Sequence, residues 1–208
     1  VVVGITIAFY LRAGVIGAFA AWASTRLKSR RAATGFAWGL GLFVFFSDYF
    51  SPLFAGPIAR PLTDRYRVSR EKLAYLLDST SAPVATLLPL SGWAVYIAGL
   101  LSGHGPIDST GDGMALFVRA IPFNLYGWLA TIAAGLIAFG LLPDFGPMRR
   151  AEARALDEGK LLGDGAVPLA GGELDNIGPL PGRTPSLLAH LFAPVAIVLS
   201  VAIGSFVV

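Results

Sequence analysis

Two aspartates stand inside otherwise apolar text, and each is flanked by hydroxyls. Asp48 lies in Ser47-Asp48-Tyr49-Phe50-Ser51, directly after an aromatic run, and Asp78 opens Asp78-Ser79-Thr80-Ser81. A carboxylate in hydrocarbon costs roughly 2.5–3.5 kcal/mol on insertion scales. Nothing in packing offsets that, so a functional role is the default expectation for both. Carboxylate and hydroxyl oxygens suit a small hard cation. Desolvation favours a protonated carboxyl, whereas a bound cation favours the carboxylate. One such group can hold either a proton or a sodium ion, which is the chemical requirement for exchanging them. The candidate ion-binding or proton-carrying set is Asp48, Asp78, Ser79, Thr80, Ser47 and Ser51, with Asp48 and Asp78 as the sodium ligands.

Blander roles compete at each position. Asp48 could cap the backbone of its own turn, and Asp78 could reach to an interface. Ser and Thr often bond back to their own helix. His104 and His190 fall at segment edges, where a bland role is expected. Trp22, Trp38, Trp93 and Trp128 suit interfaces and packing rather than a cofactor. Gly163-Asp164-Gly165 lacks the context of a phosphate loop. Asp64, in a basic stretch, is expected to be solvated by water.

The composition explains why lipid is the expected surrounding. Of 208 residues, 55% are hydrophobic and 14% charged, against about 25% charged in an average soluble domain. Such a chain would show large apolar patches to water. Its 14 prolines and 25 glycines are tolerated in membrane helices whose neighbours satisfy the freed backbone. The absence of cysteine excludes a disulfide framework and a Cys-based metal site. A net charge of +3 would permit nucleic-acid binding, but the bases gather in short segments between apolar runs, which reads as topology.

The expected fold is all-α: a polytopic, multi-pass protein of the plasma (inner) membrane, with a re-entrant hairpin and a discontinuous transmembrane helix. Residues 1–11 are too short to span alone and read as the end of a truncated helix. Residues 14–23 fit an interfacial helix with Val15, Phe19 and Trp22 on one face, or the second half of the first span. Basic clusters then flank residues 34–59 on both sides: Arg26, Lys28, Arg30 and Arg31 before, Arg60, Arg65, Arg67, Arg70 and Lys72 after. Basic loops prefer the cytoplasm, so a hairpin that enters and leaves from one side satisfies both, with its tip at residues 47–51. Ser69 is the expected N-cap of the next helix, with Glu71 in its first turn. Residues 73–101 would reach about 43 Å as one helix, against a core of about 30 Å. Pro83 and Pro89 argue for a break, placed near residues 79–83. Asp48 then lies about 20 Å into its arm and Asp78 about 9 Å into its helix, so both polar stretches can meet at mid-depth.

Residues 102–113 hold no Lys or Arg and read as an external loop. Residues 114–142 read as a returning crossing, with Arg119 reaching to the outer interface. Residues 143–186 read as a cytoplasmic linker without a helical period, and residues 187–208 as a final crossing. The chain starts without methionine and stops inside an apolar run, so it is read as a fragment (1–208) of a transmembrane domain. No internal repeat is legible, as expected for half of an inverted-repeat transporter.

Across residues 46–93 the text resembles the NhaC-type sodium/proton antiporter family. The matching residues are Asp48-Tyr49, Arg60-Pro61-Leu62-Thr63-Asp64, Ser69-Arg70-Glu71-Lys72-Leu73-Ala74-Tyr75, Asp78-Ser79-Thr80, Ala82-Pro83 and Trp93. Phe145-Gly146-Pro147-Met148, Ala151-Glu152 and Arg154-Ala155 extend the match. The resemblance implies a sodium/proton exchanger whose ion site joins a hairpin tip, Asp48, to a helix break, Asp78, Ser79 and Thr80. The sequence departs from that pattern at Ser47, commonly a second acid in the family, and at Ser51, commonly Asn.

The expected function is sodium-for-proton exchange by alternating access, not enzymatic catalysis. No cofactor is expected beyond the transported sodium ion and proton. The expected partners are membrane lipid and not nucleic acid, with a homodimer left open. One alternative keeps the site but exchanges organic anions, dicarboxylate or amino acid, with sodium or proton coupling. A structural or channel subunit would not need two mid-depth carboxylates. A distant alternative is an intramembrane aspartyl protease, but neither aspartate directly follows the Gly-x-Gly motif usual there.

Overall fold

A computed structural model describes residues 12–45 and 47–167, with a few single positions after 185. The expected truncated helix at 1–11, the rest of the linker, His190 and the expected crossing at 187–208 lie outside the described stretches. The described residues are all-α, without a β-strand.

Helix α1 (Val15–Arg26) buries Val15, Phe19 and Ala23, one residue per turn. Trp22, expected on that face, is 45% exposed. Ser29 caps α2 (Arg30–Phe43), its side chain accepting from the Ala32 amide. A short turn leads into α3 (Phe50–Arg65), which doubles back along α2. Phe54, Ile58 and Leu62 of α3 close over α1 and α2 in one apolar cluster. The open ends of this helical hairpin are tied together. Tyr66 Oη donates to the Leu27 carbonyl at 2.6 Å, and Arg30 donates to the Arg67 carbonyl at 3.1 Å.

Ser69 caps α4 (Arg70–Ala85) as its position predicts, accepting from the Lys72 amide, with Glu71 in the first turn. Helix α4 is the centre of the fold and packs on α2, α3 and α7. The expected break at 79–83 is not there. The helix runs through Pro83 to Ala85, and the gap falls at 86–91 before α5 (Gly92–Leu101). Pro83 removes only the donor to the Ser79 carbonyl. Pro89 disfavours helix at Leu88, so helix resumes only where the Ser91 side chain accepts from Ala94.

The polar loop is shorter than expected. Ser109 and Asp112 form a capping box that starts α6 (Thr110–Ala120). Residues 114–142 are two pieces rather than one. After α6 and a 3-10 turn (Ile121–Phe123) the chain bends by 51° into α7 (Leu125–Ala138), where Asn124 caps the Gly127 amide. Asn124 Nδ2 also donates to Thr86 Oγ1 at 2.9 Å, so the two interruptions face each other. The start of the expected linker is also ordered as α8 (Gly146–Asp157). Ala151, Glu152 and Ala155 face the core there, an i, i+1, i+4 pattern too narrow to register as an apolar stripe.

Alanines cluster where α4 meets α2, α3 and α7, while several large apolar residues near the bend face outward. Ala37, Ala55, Ala59, Ala134 and Ala138 pack around Leu73, Leu76 and Leu77. Gly113 of α6 lies against the Ala98 backbone of α5, so close that a side chain would collide with the Ala98 carbonyl. Phe123, Leu125, Tyr126 and Leu129 are instead 81%, 66%, 74% and 66% exposed. No single described helix is long and apolar enough to cross a membrane; α6 with its 3-10 turn and α7 meet the length and composition only as a bent pair.

Candidate functional site

Asp48 sits in the hairpin turn immediately before α3, half-buried. The Ser47 hydroxyl accepts from the Phe50 amide at 3.3 Å, and its carbonyl accepts from Ser51 at 3.0 Å. Ser47 therefore holds the first turn of α3. Ser51 is fully buried, and its hydroxyl has no partner among the described residues. Such an oxygen ordinarily costs about 1–3 kcal/mol, so it is the orphan donor or acceptor of this tip.

The hairpin meets α4 at its upper end. Thr80 lies against Gly41, the space where a side chain of residue 41 would have to go, and Leu77 faces Gly56. The α2 arm of the hairpin thus packs on α4 through Gly41 and Thr80, whereas the expected meeting was between the tip, residues 47–51, and the stretch that opens at Asp78. Thr80 itself is buried and bonds back to the Leu76 carbonyl at 2.7 Å. Ser81 bonds back to the Asp78 carbonyl at 2.9 Å. Ser79 is half-buried. Asp78, two residues before Thr80 and hence about 200° round the helix, is exposed on the outward stripe Ala74–Asp78–Ala82. The carboxylates of Asp48 and Asp78 make no hydrogen bond or ion pair among the described residues. No group of three or more His, Asp or Glu is arranged around a metal position there.

A second cluster, absent from the sequence reading, closes the other end of the hairpin. Glu152 of α8 is 5% exposed and accepts from Arg30 at 2.6 Å, from the Ser69 amide at 2.8 Å and from Lys72 at 3.2 Å. Lys72, 6% exposed, also meets Asp144 at 2.8 Å. A lysine in the first turn of a helix opposes the dipole, and these two carboxylates offset that. Arg154 pairs with Glu71 at 2.7 Å. Asp64 is part of the same end, in α3 rather than a solvated loop, and is paired with Arg70 at 3.0 Å. Further along, Lys160 joins Glu158 and Asp164, and its hydrogen bond to Glu158 raises its pKa. The cluster ties α2, α4 and α8 together. Only the Glu152 position within a short alanine pattern hinted at it.

Comparison with known proteins gives one similarity. The chain is 40% identical over 157 residues to an uncharacterized protein of Haemophilus influenzae, a match covering 74% of this chain and 30% of that relative. The chain thus corresponds to less than a third of the relative's length. No family model matches, and no solved structure matches.

Proposed function

We propose that this chain is the ion-site half of a multi-pass plasma-membrane secondary transporter that exchanges sodium ions for protons. The membrane setting is supported by the many outward-facing large apolar side chains of α5–α7 over an interior mostly of Ala, Gly and Thr, with Phe117 and Ile137. That is how helices pack when lipid surrounds them. In this reading α2 and α3 form a re-entrant hairpin, and α4 and α5 form a discontinuous spanning helix. The resemblance to NhaC-type antiporter text belongs to the same proposal.

One observation carries the ion coupling: how the carboxylates are sorted. Every other described acid lies in the charged end around α8 or in the polar stretch 102–112. Asp48 and Asp78 alone stand unpaired in apolar segments. The backbone ends at the hairpin turn and at residues 86–91 would supply further oxygens. The face bearing Asp78 would be completed by the remaining length that the relative possesses.

The test uses the full-length protein in proteoliposomes carrying a pH-sensitive dye. An imposed sodium gradient should move the luminal pH with no organic solute present. A pH change that requires an added dicarboxylate or amino acid would transfer the site to organic-anion exchange. No change under either condition would refute the transporter reading.

A further inference from the structure

The charged end of the molecule has two layers. Four of its acids are paired, Glu152, Asp144, Glu71 and Asp64 with Arg30, Lys72, Arg154 and Arg70, while Asp157, Glu158 and Asp164 are exposed, the last two on Lys160. Six exposed cations, Arg26, Lys28, Arg31, Arg65, Arg149 and Arg150, have no acid partner among the described residues and form a basic rim. They come from four separate segments, brought together by the Tyr66–Leu27, Arg30–Glu152 and Arg67–Leu156 contacts. The rim adjoins apolar surface. Arg26 lies 5.9 Å over the ring of exposed Trp22, and Phe139, Leu141 and Phe145 are exposed beside Arg31 and α8.

We infer that this rim binds the headgroups of anionic phospholipid, with Trp22 at the headgroup level and the cations on the phosphates. The inference rests on the membrane reading above. A soluble polyanion would match the charge but would leave the interleaved aromatic and leucine side chains in water. A bilayer surface takes both, because bases near an anionic leaflet each enrich its lipid by up to roughly fivefold, and aromatic rings favour the same depth.

Trp22 supplies a local probe. Full-length protein is reconstituted with increasing fractions of brominated phosphatidylcholine or brominated phosphatidylglycerol. The Trp22 contribution is taken as the difference from a Trp22→Phe variant. Half-quenching should need at least about threefold less phosphatidylglycerol than phosphatidylcholine, and the preference should shrink in 1 M salt, roughly a 3 Å screening length. An Arg26→Gln/Lys28→Gln/Arg65→Gln variant should quench equally with both lipids, while its phosphatidylcholine curve stays unchanged and so reports intact insertion. Equal quenching in the unmodified protein would overturn the inference, as would a preference that survives the triple substitution. Quenching by neither lipid would instead overturn the membrane reading itself.

Discussion

Replacing Gly41 by Ala tests the contact on which the candidate site depends. In an exposed helix position this change stabilises by up to about 1 kcal/mol, because alanine loses less backbone entropy. Here the new methyl would overlap Thr80 Oγ1 and approach Thr80 Cβ to 2.8 Å. Relief requires α2 and α4 to separate, an overpacking that costs about 1–3 kcal/mol. The sign therefore depends on whether the hairpin is seated on α4. Gly39, two residues earlier on the same helix, has nothing within 4 Å of its would-be methyl, so Gly39→Ala should be neutral or stabilising. The assay is the thermal midpoint of purified full-length protein in detergent, with sodium/proton exchange measured in parallel. We expect Gly41→Ala to melt earlier and exchange more slowly than the unmodified protein, with Gly39→Ala melting no earlier. Adding Thr80→Ala to Gly41→Ala removes the nearest atom and should restore part of the loss in thermal midpoint. If Gly41→Ala is as well tolerated as Gly39→Ala, the hairpin does not rest on α4 through Gly41 and Thr80.

Asp48→Asn and Asp78→Asn should each abolish sodium-driven pH change while leaving inserted, folded protein, and Asp→Glu should shift apparent sodium affinity more mildly. Asp108→Asn, in the exposed loop, is the matched control, because Asp64 is paired with Arg70 and its loss would cost up to about 1 kcal/mol by itself. Cysteines at positions 31 and 67 should react with an impermeant reagent from the same side, and one at position 105 from the other; opposite labelling of 31 and 67 in intact cells would end the re-entrant reading. Glu152→Ala strands the Ser69 amide and leaves Arg30 with only the Arg67 carbonyl and Lys72 with Asp144, so it should destabilise by about 3 kcal/mol. An unchanged melting point would mean that the buried cluster does not hold α8.

Much of the framework was legible because it rests on local chemistry. Ser69 reads as a cap because a hydroxyl before a helix accepts from an unpaired amide. The basic stretches on both sides of residues 34–59 implied that the two ends meet, and Tyr66 and Arg30 join them. Pro83 misled: one missing donor can be tolerated in a well-packed helix, and the chain opened only where Pro89 barred continuation. The 51° bend at Asn124 left no trace beyond Pro122, because a cap and a helix-interior asparagine look alike until Thr86 appears opposite.

The sequence by itself determined that the chain is helical, that two acids stand in apolar text, and that bases cluster at the hairpin's two ends. These follow from residue type and from neighbours within a turn or two. Tertiary structure alone decided that Thr80 rather than Asp78 faces the hairpin, and that Glu152 gathers Arg30, Ser69 and Lys72. Both facts depend on which side of a helix a residue occupies against a partner tens of residues away. Helix α4 contacts neighbours on several faces, so no single apolar stripe announces its orientation. A buried ion cluster likewise reads in sequence as scattered surface charge until the fold brings its members within hydrogen-bond distance.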